Sequence, residues 1–192
     1  MSDHFVSEAI YMRDPDHHGI EIYADRPRAQ WEGQVGRMGT VRLDTDSLLA
    51  ELPDPATEPF AGLPAGTTVG HVHLRVTSIP ETVAWYRDIV GFDLMVQFGG
   101  QAAFLAAGGY HHHFGTNTWE SAGRGQAPAG TATLRHATVV LPSATDVEAA
   151  AARVAAAGQQ PEPYAATGGL PGGTLVRDPS GNALLLVAAA AG

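Results

Sequence analysis

Residues 70–81 read GHVHLRVTSIPE, and residues 135–146 read RHATVVLPSATD. Both stretches open with a strand-like run that carries a histidine at its second position, and both continue with a serine ahead of a predicted helix. The two histidines, His71 and His136, lie 65 residues apart (136 − 71), and the two serines keep the same spacing. Such a repeat, present twice, predicts two tandem β-α-β-β-β units rather than a solenoid, which needs at least three repeats.

The first unit follows from strict alternation in the strand and from helix-end signals after it. Ser78 and Glu81 form a capping box, and Gly91 marks the end of the helix. The alternation separates a buried face from an opposite face: Val72, Leu74 and Val76 against His71, His73 and Arg75. The buried stripe of the helix is predicted to be Ile79, Val83, Tyr86 and Val90.

The second unit repeats this scheme at 134–189. A strand is predicted over 135–141, followed by a helix that Thr145 and Glu148 can cap and that ends at Gly158. The motifs LVRD and NALLLVA predict a closing β-hairpin. Together with the first unit at 70–119, this predicts one α+β module over residues 70–189.

A second repeat involves the opening of the chain. Residues 13–24 read RDPDHHGIEIYA and residues 177–188 read RDPSGNALLLVA, so that Glu21 aligns with Leu185. Strand, turn and strand agree, and residues 1–24 are therefore predicted to form a β-hairpin equivalent to the end of a preceding βαβββ module. The intervening residues 25–69 are predicted to be a connector with one short helix near TDSLLAEL (45–52).

Composition excludes several classes of function. The net charge of −9 argues against a nucleic-acid partner and against an anionic membrane surface, because both require a basic face. The chain has no cysteine, so any metal must be held by His, Asp or Glu, and nine histidines are available. Neither a signal peptide nor an apolar run of membrane-spanning length is present in the sequence, and we expect a cytoplasmic protein.

Several polar residues are candidates for chemistry. Imidazole suits iron, zinc, copper and nickel, so His71 and His136 at equivalent positions are either satisfied polar side chains or ligands of one metal. If GGYHHHFGTNTW (108–119) is a strand, His111 and His113 share a face and His112 takes the other. These imidazoles are either an exposed strand end or a source of general acid–base catalysis. Alternation places Glu21 and Tyr23 opposite Ile20 and Ile22, so Glu21 is either an outward carboxylate or a ligand.

Taken together, these motifs resemble a known family. GHVHLRV, the helix WYRDIVGF, FLAAGGYHHHFGTNTW and DPSGN resemble the vicinal oxygen chelate superfamily, and most closely its two-module members related to catechol 2,3-dioxygenase. The opening HFVSEAIYMRDPDHHGIE (4–21) is similar to the extradiol dioxygenase signature, in which a His, a Tyr and an acid-Pro turn lead to a ligand Glu. His17 departs from that signature, which has Gly or Pro at this point.

The resemblance implies paired βαβββ units that form a curved-sheet open barrel. It further implies a non-haem Fe(II) centre, or Mn(II) in some members, held by His71, His136 and Glu21. A catechol-like aromatic substrate and O2 would bind at this metal. His112 matches the acid–base histidine near bound oxygen, whereas His4 and Tyr11 match groups that contact the substrate oxygens.

The implied site residues are divided between two modules. The C-terminal copy has Leu185, Leu175 and Gly168 where the signature has Glu, Tyr and His. Either the chain is truncated and its second module is a relic, or the hairpin completes a site by exchange, within the chain or across a homodimer. We therefore expect an extradiol-type dioxygenase or a subunit of one. The alternatives are a small-molecule-binding module of the bleomycin-resistance type without a cofactor, and a glyoxalase-type isomerase.

Overall fold

A computed structural model describes residues 1–52, 54, 57, 59–169 and 171–190. The chain divides into two compact units, Met1–Gly70 and His71–Gly192. In the described part of the chain, none of the helices has the length and apolar character that crossing a bilayer requires.

The first unit is built on a four-stranded antiparallel sheet of order β3-β2-β1-β4. Its strands are β1 (Ser2–Asp3), β2 (Ser7–Arg13), β3 (Gly19–Asp25) and β4 (Val41–Arg42). The connector forms two 3-10 turns, Arg28–Gln30 and Val35–Arg37, and helix α1, Thr45–Leu49. Its buried apolar side chains are Val6, Ala9, Trp31, Met38 and Leu43. The predicted helix near 45–52 therefore exists but is shorter, and its N-cap is Asp44, which accepts from the N–H of Ser47.

The second unit begins with strand β5 (Val72–Arg75) and helix α2 (Ile79–Ala84). Ser78 caps this helix by accepting from the N–H of Glu81, as the capping box predicted. The helix continues as a π-helix over Trp85–Val90 and ends at Gly91, whose φ of 104° favours glycine. The predicted apolar stripe is buried in the core: Ile79, Val83, Tyr86 and Val90.

The rest of this half is a four-stranded sheet of order β5-β8-β7-β6. Its remaining strands are β6 (Asp93–Phe98), β7 (Ala102–Ala106) and β8 (Phe114–Asn117). The first and last strands of the half, β5 and β8, pair in parallel. The prediction that the histidine run lies on a strand is wrong, because β8 begins at Phe114, after a turn that holds His111, His112 and His113.

The second half has the same topology. It consists of β9 (Ala137–Leu141), helix α3 (Ala144–Ala156), β10 (Glu162–Tyr164), β11 (Gly173–Arg177) and β12 (Ala183–Ala188). The sheet order is β10-β11-β12-β9, and β9 pairs in parallel with β12. Two βαβββ units are therefore confirmed. The predicted cap at Thr145 is wrong, because Ser143 caps α3 and accepts from the N–H of Asp146, as Ser78 does in α2.

Both helices pack against the same apolar core of the second unit. Val147, Ala150 and Val154 of α3 join the buried side chains of α2 and of both sheets in one cluster. The guanidinium of Arg153 donates to the carbonyl of Ile89 (2.6 Å), which satisfies an acceptor at the end of the π-helix. The helices thus cover one face of each sheet.

Candidate functional site

In the first unit, three of the predicted site residues form one hydrogen-bonded row. The Nε2 atom of His4 lies 2.5 Å from the phenol oxygen of Tyr11, and the Tyr11 hydroxyl donates to Oε1 of Glu21 at 2.9 Å. The antiparallel register of β2 and β3 places Tyr11 directly opposite Glu21. The residues of the dioxygenase-like signature are therefore brought together by the hairpin itself.

His4 is fixed at its other ring nitrogen by the connector. Its Nδ1 lies 2.6 Å from the carbonyl oxygen of Gly39, and a carbonyl only accepts, so Nδ1 carries a proton. Two further hydrogen bonds join the His4 Nε2, the Tyr11 oxygen and the Glu21 carboxylate, and two protons must fill them.

The environment of Tyr11 favours the neutral phenol. Partial burial raises the pKa of Tyr11 far above its ordinary value, and the nearby charge and hydrogen bond of Glu21 raise it further. Tyr11 is therefore a hydrogen-bond donor at physiological pH rather than a base. Its side chain is still 47% exposed, which leaves the row open to a small molecule.

An ionic clamp holds His4 in position for this contact. The guanidinium of Arg26 bonds both carboxylate oxygens of Asp3 at 2.8 Å and Oε1 of Glu8 at 3.0 Å, joining β1 to β2. Asp3 also accepts from the N–H of Phe5, whose φ is 71°. This tight turn directs His4 toward Tyr11.

In the second unit, His71 and His112 lie in ring contact, with centroids 4.3 Å apart. Nδ1 of His112 lies 2.8 Å from Nδ1 of His111, so one of these imidazoles donates to the other. Both His111 and His112 are buried, and Phe104 packs edge-on against His112 at 4.9 Å. The expectation that His112 faces away from His111 fails, because the turn conformation lets both rings point inward.

His136 has a different neighbour. Its ring contacts that of Tyr164 at a centroid distance of 5.3 Å. Its Nδ1 is buried and has no hydrogen-bond partner among the described residues. A ligand role for His71 and His136 remains a prediction.

The carboxylate of a three-ligand metal site has no counterpart in the second unit. Leu185 stands at the position equivalent to Glu21 and is fully buried. Across the part of the chain that the structure describes, no group of three or more His, Asp or Glu side chains is spaced to hold a metal ion. Two imidazoles without a carboxylate do not fit the iron site that the resemblance implies, so the donors of the second unit alone are insufficient for it.

Sequence reasoning missed a network around His73, which lies on β5. The amide of Asn117 accepts from the N–H of Trp119 (3.2 Å), so its nitrogen donates to Nε2 of His73 (2.8 Å) and leaves the proton of His73 on Nδ1. His73 lies over Gly115, where a Cβ would come within 2.7 Å of its ring. Phe104 and Trp119 flank the ring at 6.0 and 5.8 Å.

The contact between His4 and Gly39 has no local sequence signal. Gly39 is 35 residues from His4, and only the fold brings its carbonyl to the imidazole. Gly115 could have been suspected, because a glycine inside a strand marks a close approach of another group. Asn117 follows from the same strand by alternation.

The sequence of this chain is similar to those of known proteins. The model of the Glyoxalase/Bleomycin resistance protein/Dioxygenase superfamily matches residues 68–186. A catechol-2,3-dioxygenase of Bacillus subtilis (strain 168) is 43% identical over 160 residues, which are 81% of this chain and 55% of that protein. This chain thus spans about half the length of that relative.

The fold also agrees with a solved structure. The glyoxylase/bleomycin resistance protein/dioxygenase domain from Frankia sp. EAN1pec is 24% identical, with a TM-score of 0.50 over 62% of this chain and 95% of that one. A lactoylglutathione lyase from Agrobacterium tumefaciens is 17% identical, with a TM-score of 0.48 over 65% of this chain and 96% of that one. The family match, the paired βαβββ units and the vicinal oxygen chelate motifs agree, and this chain belongs to the Glyoxalase/Bleomycin resistance protein/Dioxygenase superfamily.

Proposed function

We propose that this chain takes part in extradiol-type ring cleavage, the O2-dependent opening of a catechol-like ring beside its two hydroxyl groups. The row His4–Tyr11–Glu21 is the observation that carries the proposal. It combines the side chains of a histidine, a tyrosine and a glutamate in one hydrogen-bonded row. The relative named catechol-2,3-dioxygenase supports the same substrate class.

In this proposal each residue of the row has a distinct role. Glu21 would be the carboxylate ligand of a divalent metal, Fe(II) or alternatively Mn(II), and such a metal would supply Lewis-acid chemistry for the catechol oxygens. Tyr11 orients a substrate oxygen by hydrogen bonding. His4 takes or returns a proton at Nε2, while the carbonyl of Gly39 keeps Nδ1 protonated.

The histidines of the second unit are the proposed nitrogen donors and the proposed acid–base group. His71 and His136 would bind metal, and His112 would be the general acid–base group. A homodimer and a cytoplasmic location remain part of this proposal.

Metal content and ring cleavage test the proposal together. The full chain is purified anaerobically with Fe(II), and iron, O2 uptake and formation of the coloured ring-cleavage product from catechol are measured. Glu21→Gln should abolish iron retention and product formation. Glu32→Gln, an exposed acid beside Arg28 in the same unit, is the matched control and should change neither.

Further variants distinguish the proposed metal ligands from the residue proposed to orient the substrate. His71→Gln and His136→Gln should each lower iron retention, while Tyr11→Phe should keep iron and slow cleavage. A chain that keeps one iron per molecule after Glu21→Gln would contradict the assigned carboxylate. A wild-type chain without iron or activity would contradict the proposed function.

Leu185 favours a second candidate function, a metal-independent binding module for planar aromatic molecules. An apolar side chain fills the carboxylate position of the second unit, and Phe104, His73 and Trp119 form an aromatic surface on the same unit. NMR shift mapping of the metal-free full chain with catechol tests this candidate. Saturable shifts confined to residues around Phe104 would support it, and unchanged spectra at millimolar catechol would exclude it for that ligand.

A further inference from the structure

The proposed ring cleavage gives no role to His111, a fully buried histidine in the β7–β8 turn of the second unit. Its side chain has 0% of its surface exposed. An apolar side chain could fill the same space without a hydrogen-bond partner, whereas a buried imidazole costs free energy unless its polar atoms are satisfied. Packing alone therefore does not explain a histidine at this position.

The turn holds the His111 ring in place through its own contacts. The N–H of His113 donates to the carbonyl of Leu105 (2.8 Å), and the N–H of Ala107 donates to Nδ1 of His113 (3.2 Å), so the turn is closed at both ends. The ring of Tyr110 lies against that of His111 at a centroid distance of 4.0 Å. His111 is thus a rigid partner for its neighbour along the chain.

The neighbour, His112, is surrounded by rings that cannot fix its orientation. His71 lies 4.3 Å and Phe104 4.9 Å from it, measured between ring centroids. A half-turn of an imidazole about its Cβ–Cγ bond exchanges nitrogen with carbon positions but hardly changes the shape of the ring, so ring packing does not distinguish the two orientations. The contact of 2.8 Å between Nδ1 of His111 and Nδ1 of His112 does, because a ring carbon cannot replace Nδ1 in a hydrogen bond.

We propose that His111 is a positioning residue for His112, the proposed general acid–base group. The hydrogen bond between the two Nδ1 atoms fixes the ring orientation and the tautomer of His112, because one Nδ1 must donate and the other must accept. Nε2 of His112 is then the atom that takes or returns a proton. The inference rests on the proposed function for the role of His112, but the positioning depends only on the contact between the two rings.

Nitrogen NMR of the metal-free full chain, isotopically labelled at the histidine nitrogens, tests this contact directly. The wild-type chain should show a scalar coupling between the two Nδ1 atoms across the hydrogen bond, and the nitrogen shifts of His112 should match one tautomer. Absence of the coupling, or shifts averaged between the two tautomers, would overturn the proposal. This measurement needs no iron, no turnover and no substituted protein.

Two variants of similar shape separate positioning from packing. Asparagine carries a polar amide atom where histidine carries Nδ1, so His111→Asn can keep a hydrogen bond to His112, whereas His111→Leu cannot. His111→Leu should leave His112 with nitrogen shifts averaged over two ring orientations, and His111→Asn should retain the single set of the wild type. Identical His112 spectra in the two variants would overturn the proposal.

Turnover of the iron-loaded chain gives a second readout. General acid–base catalysis contributes about 10²–10⁴-fold, so His111→Leu should lower kcat by roughly tenfold or more with little change in KM, and His111→Asn should restore most of it. A wild-type kcat in His111→Leu would overturn the proposal. An inactive wild-type chain would instead contradict the proposed function, and the nitrogen spectra would still decide whether His111 positions His112.

Discussion

The two RDP hairpins share their backbone and differ in almost everything else. In both turns the N–H of the Asp donates to the carbonyl four residues later, at 3.0 Å for Asp14 and 2.9 Å for Asp178. In both, the Asp carboxylate accepts from the N–H of that fourth residue, at 2.8 Å from His18 and 2.9 Å from Asn182. The register also agrees, because Tyr11 faces Glu21 where Leu175 faces Leu185.

This agreement separates what builds the hairpin from what gives it chemistry. The Asp-Pro turn fixes the geometry, and the alternating positions on the face away from the helices are then open to polar or apolar side chains. In the N-terminal copy they carry the phenol and the carboxylate. In the C-terminal copy they carry Leu175 and Leu185, and Leu185 is fully buried.

Exchanging the side chains at the equivalent positions 21 and 185 should produce the largest change in the free energy of unfolding. Leu185→Glu buries a carboxylate in an apolar position and should destabilise the metal-free chain by roughly 3–5 kcal/mol. If the buried Glu meets His71 and His136, Mn(II) should recover part of this loss, because a ligand that binds only the folded state stabilises it. Denaturant unfolding with and without Mn(II) measures both effects.

The reverse exchange is its control. Glu21→Leu acts at a partly exposed position and should change stability by less than about 1 kcal/mol, although it removes a hydrogen bond from Tyr11. Equal losses of stability in the two variants would contradict the contrast in burial between the hairpins.

The second-largest difference is expected in the loss of stability when the Asp of each turn, Asp178 or Asp14, is replaced by alanine. The Asp178 carboxylate accepts from the N–H groups of Ser180 and Asn182, the side chain of Asn182 and the hydroxyl of Tyr86. It is buried, and this burial raises its pKa despite those bonds. Asp178→Ala should destabilise the chain by about 3 kcal/mol, since the donors lose a shared acceptor.

Asp14→Ala removes the corresponding turn bonds at a solvent-exposed site, and it should lower the unfolding midpoint much less than Asp178→Ala. Parallel urea titrations of the two variants give the comparison. A larger loss of stability in Asp14→Ala would mean that Asp14 has a tertiary contact equivalent to the hydrogen bond between Tyr86 and Asp178.

Most of the fold could be predicted because it depends on local signals. Alternation in β5, the capping serines and the 65-residue spacing led to both βαβββ units, and the RDP turns led to both hairpins. The π-helix at the end of α2 and the short strands β1 and β4 were missed, since packing rather than local pattern determines them.

The site was predictable only where the backbone register decides contacts. Tyr11 and Glu21 meet because antiparallel pairing places them opposite each other. The histidine run was misassigned because three consecutive imidazoles fit a strand and a turn equally well, and only the inward burial of His111 and His112 distinguishes them. The contact of His4 with Gly39 depends on a connector that has no periodic pattern.

Substitutions at one equivalent position of the two turns should change stability by a smaller amount and in opposite directions. His17 has a φ of 65° where Gly181 has 84°, and a non-glycine residue in this left-handed region costs about 1 kcal/mol. His17→Gly should therefore stabilise the first unit by about 1 kcal/mol. Gly181→Ala should destabilise the second unit by a similar amount or more, because its Cβ would meet the side chain of Gln126. Hydrogen exchange resolved by unit measures the two changes, and a loss of stability in His17→Gly would refute the shared turn geometry.

The smallest expected difference between the two halves of the chain is their response to acid. Nδ1 of His113 accepts from the N–H of Ala107 (3.2 Å), and burial followed by the charge of His111 lowers the pKa of His113 below its ordinary value of about 6.5. Below pH 6.5 the unfolded chain therefore takes up a proton before the folded chain does, so the stability of the second unit should decline as the pH falls through that window.

His113→Gln keeps a side-chain acceptor but does not titrate, and it should make the decline shallower. Exchange of the β7 and β8 amides between pH 7 and pH 5 measures this slope, and identical slopes in the variant and the wild type would show that another group controls it. Exchange in β2 and β3 serves as the internal reference, because His113 lies outside the first unit.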